Sequence, residues 1–377
     1  MSNVRKADPY HKLVRAVIVL LVLFVVLLTA YLLVDSYRRG QLEQQQKAII
    51  EQNNAMVEEY NQAVLAQQAG QTTEEVPAWP QAKAEGVDIL ELKGFAVKGT
   101  EPATVSRAEA LQGGLLVVNR WHALPADFSI VEPELKSIMD TTERRVPVVA
   151  RVVSLFPNAI TALDEMLAAA EDDGLQDFLI RDAYRSMQTQ TEYWDKEAAR
   201  YTARLTGDAL TEQVRKAVSF PGTSDYQAGL SISIDAYSAN DPVLNTKKFQ
   251  ETEQSKWLYE NAWKYGYVFR FPVSGYPEPS TVDKSYKTGI NLQMDTYRYV
   301  GVPHALVMQQ KGFTLEEYVE YLVEQKHIAV YEDGVLTYEI FRIENAGIDT
   351  SFSLPSGAQG YVASADNLGG LIVAVSY

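Results

Sequence analysis

The sequence predicts an α+β domain built on a small, mainly antiparallel sheet with packed helices. One transmembrane helix and a helical stalk precede it, and a β-rich addition follows. Three observations carry this reading. Residues 16–34, AVIVLLVLFVVLLTAYLLV, are apolar and uncharged. Across residues 86–325, segments with apolar residues at helical spacing alternate with short apolar runs of strand character. From residue 328 onward the helical period is gone, and alternating segments separated by turn residues remain.

Composition narrows the function classes. The chain of 377 residues has room for one sizeable domain with appendages, or for two domains. Its formal net charge of -15 repels a phosphate backbone, which argues against a nucleic-acid partner. Cysteine is absent, so disulfides, thiolate metal sites and cysteine nucleophiles are excluded.

Taken in order, residues 1–15 carry Arg5, Lys6, Lys12 and Arg15 against Asp8 and read as a short basic tail. The apolar run that follows would rise roughly 28 Å as a helix, close to the hydrocarbon thickness of a bilayer. A cleaved signal would have a shorter apolar core and a small-residue cleavage site, whereas the apolar run continues past Thr29-Ala30-Tyr31. The expectation is therefore a retained single-pass anchor in a cell membrane, which the resemblance given below would make a bacterial one. Arg38 and Arg39 flank its far end, but the short basic N-terminal segment and the acidic bulk favour a cytoplasmic N-terminus and an extracytoplasmic C-terminal domain.

Residues 35–85 read as stalk and linker. Leu42, Ile49, Met56 and Ala63 recur every seven residues, with Ile50, Val57 and Val64 beside them. That spacing predicts a solvated helix, with a coiled-coil homodimer as the competing reading. Pro77, Trp79 and Pro80 end it.

Globular texture begins near residue 86. Residues 115–119 (LLVVN) predict a short strand. Ile160, Leu163, Met166 and Leu167 share one face of a helix over 159–171, stopped by Asp172-Asp173-Gly174. A strand over 178–180 leads into Asp182-Ala183-Tyr184-Arg185-Ser186. Helices are predicted over 188–205 and 211–218. Residues 219–235, SFPGTSDYQAGLSISID, turn at Pro221-Gly222 and become a strand with Leu230, Ile232 and Ile234 on its buried face. A helix over 256–265 closes at Gly266, strands follow over 267–271 and 297–300, and a last helix spans 315–325. Residues 326–377 are the β-rich addition, with segments such as VLTYEIFRI and GLIVAVSY.

Five landmarks in this order carry a family resemblance. They are Tyr184-Arg185-Ser186 with Gln190; Pro221-Gly222 through Ile234; the 257–272 helix, Tyr265-Gly266 and strand; Gln293 to Gly301; and Phe313 to Tyr318. Over residues 115–322 the chain resembles the VanY-type D-alanyl-D-alanine carboxypeptidases, zinc enzymes of peptidase family M15. The resemblance implies a D,D-peptidase/hedgehog-like fold and a peptidoglycan stem peptide as ligand.

It also implies a zinc site that this chain lacks. The family's turn reads PG-x-SEHQ-x-GLAVDI and its later motif EPWH-x-RYVG. Position by position, the first zinc histidine is Tyr226, the aspartate is Ser233, the general-base glutamate is Gln293 and the last histidine is Thr296. Zinc prefers imidazole and carboxylate ligands, and a glutamine cannot take up a proton near neutral pH. The expectation is no bound zinc and no catalytic residue at these positions. Arg185 holds the place that the family associates with the substrate carboxylate, and Tyr184, Gln190, Ser224 and Gln227 lie around it. A guanidinium fork suits a carboxylate; the competing reading is an arginine paired with a nearby acid.

Other sets are weaker. Asp225, Asp235 and Asp295 lie in or beside the altered motifs and could form an oxygen site for a cation, solvated carboxylates being the alternative. His122 reads as a capping or surface histidine. Ser224 has no visible base, which weighs against a serine hydrolase. Three functions follow in order: an inactive, membrane-anchored carboxypeptidase-like protein that binds stem peptide or a cell-envelope protein; an active D,D-carboxypeptidase with a non-standard metal site; and a scaffold with a vestigial cleft.

Overall fold

A computed structural model of the protein describes residue 29 and residues 81–377, less 94, 96, 131–134 and 345–348. The tail, the expected span at 16–34 and the stalk as far as residue 80 lie, Thr29 apart, outside the described residues. Among the described residues no helix is long and apolar enough to cross a membrane.

The chain opens with β1 (Val87–Glu91), β2 (Gly99–Val105) and α1 (Arg107–Leu111). Next come β3 (Lys136–Ser137), α2 (Ile138–Thr141), β4 (Ser154–Leu155), α3 (Pro157–Asp172), β5 (Phe178–Asp182), α4 (Met187–Ala199) and α5 (Gly207–Arg215). The middle holds β6 (Ser231–Ala236), α6 (Glu253–Asn261), β7 (Tyr267–Phe269), α7 (Ser285–Thr288), β8 (Thr296–Tyr299), α8 (Val302–Lys311) and α9 (Leu315–Gln325). The chain ends with β9 (His327–Glu332), β10 (Val335–Glu344), β11 (Thr350–Pro355), β12 (Gly360–Ala365) and β13 (Gly370–Ser376).

These elements make a mixed α+β fold with antiparallel sheets. The site-bearing sheet has the order β5-β6-β8-β7, every pairing antiparallel. Ile160, Leu163 and Met166 of α3 pack into one core with Leu230, Ile232 and Ile234 of β6. Burying an aliphatic side chain of this size contributes about 1.5–3 kcal/mol, so this one face anchors the helix to the sheet. Pro157 at the first helical position starts α3, and Asp173 caps its end. Because β6 is a central strand, its polar face is covered too: Ser231 and Ser233 are buried alongside the apolar residues.

The second sheet has the order β1-β9-β10-β13-β12. It is the expected β-rich addition, but it takes in β1 from far upstream, while β2 pairs with β11. Helices α8 and α9 cover it through a core that includes Leu306, Tyr318, Leu322, Ile328 and Ile340.

Three readings are corrected. Residues 115–119 are buried but form no ladder; only Asn119 bridges, to His122. Their backbone is satisfied by side chains instead. Ser364 Oγ accepts from Leu115 N, Arg298 donates to the carbonyls of Gly114 and Leu116, and Asn367 Nδ2 donates to that of Val117. The helix expected over 188–205 stops at Ala199, and that expected over 211–218 begins earlier, at Gly207.

Candidate functional site

The altered positions converge. The antiparallel register sets Ser233 of β6 opposite Thr296 of β8 on one side and Asp182 of β5 on the other. Tyr226 sits on a single 3-10 turn, Asp225–Ala228, that leads into β6. Gly229 ends that turn at φ 74, a left-handed conformation open to glycine. A Cβ there would also stand 2.9 Å from the Phe156 ring.

The four side chains are bonded to one another or to their neighbours. Thr296 Oγ1 donates to Gln293 Oε1 at 3.2 Å, so the Tyr226 hydroxyl, 2.9 Å away, donates to Thr296. Gln293 Nε2 donates on to the Ala217 carbonyl, and Ser233 Oγ donates to Asp295 Oδ2. Burial, with Asp295 nearby, pushes the Tyr226 phenol well above its ordinary range, so it stays protonated. Burial likewise raises the Asp295 carboxyl; the Ser233 bond and the charge of Arg185 act against that rise, and Asp235 adds to it.

This donor set does not fit zinc. A cation there would face three hydroxyls and an amide, all neutral and with their protons committed to the chain Tyr226–Thr296–Gln293–Ala217 and to the Ser233–Asp295 bond. Zinc sites use imidazole nitrogen, thiolate or carboxylate. Among the described residues no group of three or more His, Cys, Asp or Glu could hold a metal ion.

Arg185 is presented by the cap of α4. Ser186 Oγ accepts from Thr189 N and starts the helix, which fixes the residue before it. One turn on, Gln190 accepts from Arg185 Nη1 at 3.2 Å and donates to the Ser219 carbonyl at 2.7 Å. Asp182 accepts from Arg185 Nε at 2.8 Å. The guanidinium lies between two rings, 3.9 Å from the Tyr226 centroid and 4.1 Å from that of Tyr193. Only 7% of Arg185 is exposed, and its Nη2 has no hydrogen-bond acceptor among the described residues. Arg185 is therefore paired with an acid, the competing sequence reading, and keeps one donor edge unspent.

Gln227 pins the preceding turn, its Oε1 accepting from Gly222 N at 2.7 Å and its Nε2 reaching Met187 Sδ at 3.6 Å. Ser224 is buried at the cap of the 3-10 turn, with no histidine or lysine bonded to it among the described residues. Tyr184 is tied through its amide to the Ser154 carbonyl.

The three aspartates do not assemble as an oxygen site. Asp225 turns away into a buried cluster. Its Oδ1 lies 3.1 Å from Arg298 Nη1 and 3.2 Å from Arg270 Nε, contacts misaligned as hydrogen bonds that act through charge. Arg270 grips Glu316 with both Nη atoms, at 2.9 and 2.6 Å. Burial opposes the Asp225 charge, yet Arg298 and Arg270, helped by Ser231, hold its carboxyl below the ordinary range. Asp235 is spent on Arg181 and on the amide of Ala236. His122 bonds to Asn119 in its own loop.

The sequence reading missed Asp182, Tyr193 and the Ser233–Asp295 bond. The first two were within reach: Asp182 lies three residues before Arg185, and Tyr193 stands one helical turn beyond Gln190 on α4.

A sequence model of VanY, D-alanyl-D-alanine carboxypeptidase, matches residues 153–301, the segment that holds these positions. The bifunctional D-Ala-D-Ala dipeptidase and D-Ala-D-Ala carboxypeptidase VanXYC of Enterococcus gallinarum is 32% identical over 149 residues, 40% of this chain and 70% of that protein. The chain belongs to the VanY D-alanyl-D-alanine carboxypeptidase family. A second VanY-family relative, a D-alanyl-D-alanine carboxypeptidase of Enterococcus faecium, is 28% identical over 284 residues, 74% of this chain and 80% of its own length. The solved structure of the vancomycin-resistance D,D-dipeptidase VanXYg, in complex with a D-Ala-D-Ala phosphinate analog, shares the fold. It has a TM-score of 0.57 and 21% identity, and covers 74% of this chain and 99% of its own. Within the VanY frame Arg185 supplies a cation whose charge reaches Asp295.

Proposed function

We propose that this protein binds the D-alanyl-D-alanine end of peptidoglycan stem peptide without hydrolysing it. One observation carries the reading. The four positions that would bear zinc and the base hold neutral groups, three bonded to one another and Ser233 bonded to Asp295, while Arg185 is held rigidly with Nη2 available. A carboxylate terminus would take its charge-assisted bonds from Arg185. Tyr226, Ser233, Gln293 and Thr296 cannot activate water as the family's zinc and glutamate would. A cell-envelope protein that ends in a similar carboxylate is the alternative occupant.

We place the domain outside the membrane, held by residues 16–34 and spaced from it by the 35–85 stalk. The support is the uncharged apolar run and the heptad spacing that follows it. Calorimetric titration of a muropeptide ending in D-Ala-D-Ala tests the ligand. Saturable binding by the wild type, lost in Arg185→Ala, is expected; equal binding by both, or by neither, rejects it.

A further inference from the structure

A cavity of about 550 Å³ lies at the far end of β8 from the cleft, beyond Tyr299 and Val300. Two helices begin at its wall. α3 enters through Phe156, Pro157 and Asn158, and α8 through Gly301 and His304. Neither helix has a side-chain cap on its first turn from its N-cap residue. The amides of Asn158, Val302 and His304 have no protein acceptor among the described residues. Asn158 Oδ1 accepts from Ala159 N at 2.9 Å, which leaves its own Nδ2 as a further donor.

His304 supplies a second and independent observation. It is 2% exposed and lines the cavity. Its Nδ1 lies 2.9 Å from the Tyr318 hydroxyl. Tyr318 is fully buried, and burial pushes its phenol well above the ordinary range, so the hydroxyl keeps its proton. Its hydrogen-bond partner among the described residues is that imidazole, so the hydroxyl donates and Nδ1 accepts. Burial holds the His304 imidazole neutral, its pKa lowered to about 3. The remaining proton therefore sits on Nε2, which has no bonded partner among the described residues. An N–H donor on a buried side chain and two helix starts thus line one space.

The rest of the wall is mixed, with Gln112, Tyr299 and Ser364 beside the apolar residues. Val300, Val362 and Ala363 line it. Gly113 and Gly114 close one side by direct backbone approach: a Cβ on Gly114 would stand 2.6 Å from the Val300 carbonyl oxygen, and one on Gly113 2.4 Å from Ser364 Cβ. Among the described residues no lysine or arginine lines the cavity, and Glu109 at its rim is spent on Ser106. Each helix N-terminus acts as roughly half a positive charge, so the pair offsets about one negative charge and not two.

We propose that this cavity is a binding site for a small organic monoanion, a carboxylate on a short apolar body. The carboxylate meets the starts of α3 and α8 and the Nε2–H of His304, and the body lies on Val300, Val362 and Ala363. The site is separate from Arg185, and the proposal does not rest on the stem-peptide reading.

Calorimetric titration of the full-length chain with N-acetylglycine and with neutral N-acetylglycinamide tests it. The titration is run in wild type and in Arg185→Ala, so that the guanidinium of the cleft cannot supply the binding. Saturable binding of N-acetylglycine is expected in Arg185→Ala, with the amide weaker by about tenfold or more. Asn158→Asp places a carboxylate at a helix start, where it favours the helix, and sets a like charge beside the ligand. It should fold and weaken N-acetylglycine by about tenfold or more. His304→Phe should do the same through loss of the donor. Absence of saturable binding in Arg185→Ala, equal binding of acid and amide, or full affinity in a folded Asn158→Asp protein would each overturn the proposal.

Discussion

Replacing Asp225 by asparagine tests why the frame of the site persists without its metal ligands. Asp225, Arg270, Arg298 and Glu316 are all buried, and two guanidinium groups share two carboxylates. Asparagine keeps the shape and can still accept from Ser231, but it removes the charge that faces Arg298. Arg270 retains Glu316; Arg298 retains only backbone carbonyls. Breaking one side of a buried ion pair costs about 3–5 kcal/mol, a large part of a typical total of about 5–15 kcal/mol. The control is Asp235→Asn, whose partner Arg181 is half-exposed and whose pair contributes about 0–1 kcal/mol. Urea unfolding of both variants beside wild type reads the difference as a fall in midpoint at constant slope. The folded pKa of Asp225 is depressed, so its contribution is present above the ordinary carboxylate range. It is lost as pH falls through that range toward the lower folded value, and the gap between wild type and Asp225→Asn should close on acidification. If Asp225→Asn unfolds within about 1 kcal/mol of Asp235→Asn at neutral pH, the cluster does not hold the frame.

Two further outcomes are expected. The combined change Tyr226→His, Ser233→Asp, Gln293→Glu and Thr296→His should acquire stoichiometric zinc by metal analysis, because the strand register already sets Ser233 opposite Thr296; a folded variant without zinc would show that the frame has moved. In the second sheet, burial opposes the Glu339 charge, but bonds from His327 and Tyr377 hold its carboxyl below the ordinary range. Its contribution should be lost as pH falls below about 4.5, and Glu339→Gln should show a shallower acid limb in circular dichroism between about pH 5 and 3.

Much of the fold was legible because its signals are local. The apolar face of α3, the period-two run of β6, the left-handed cap at Gly266 and the bounds of α9 all follow from neighbours in sequence. What was not legible depends on distant partners. Residues 115–119 look like a strand, yet their backbone bonds go to Ser364, Arg298 and Asn367, more than 180 residues away. The upstream strand β1 joins β9 by a pairing that no local pattern announces. The site divides in the same way. Tyr226, Ser233, Gln293 and Thr296 were readable one position at a time. That Tyr226, Thr296 and Gln293 would bond to one another and Ser233 to Asp295 required β6 and β8 to be brought together, and that the Tyr226 ring would stand 3.9 Å from the Arg185 guanidinium was equally out of sight.

The most direct test of the account is one preparation of the full-length protein, supplemented with zinc and then freed of unbound metal. Metal content, muropeptide binding and release of D-alanine are measured together on it. The account predicts saturable binding, zinc well below one per chain and no D-alanine released. Stoichiometric zinc with turnover would contradict it.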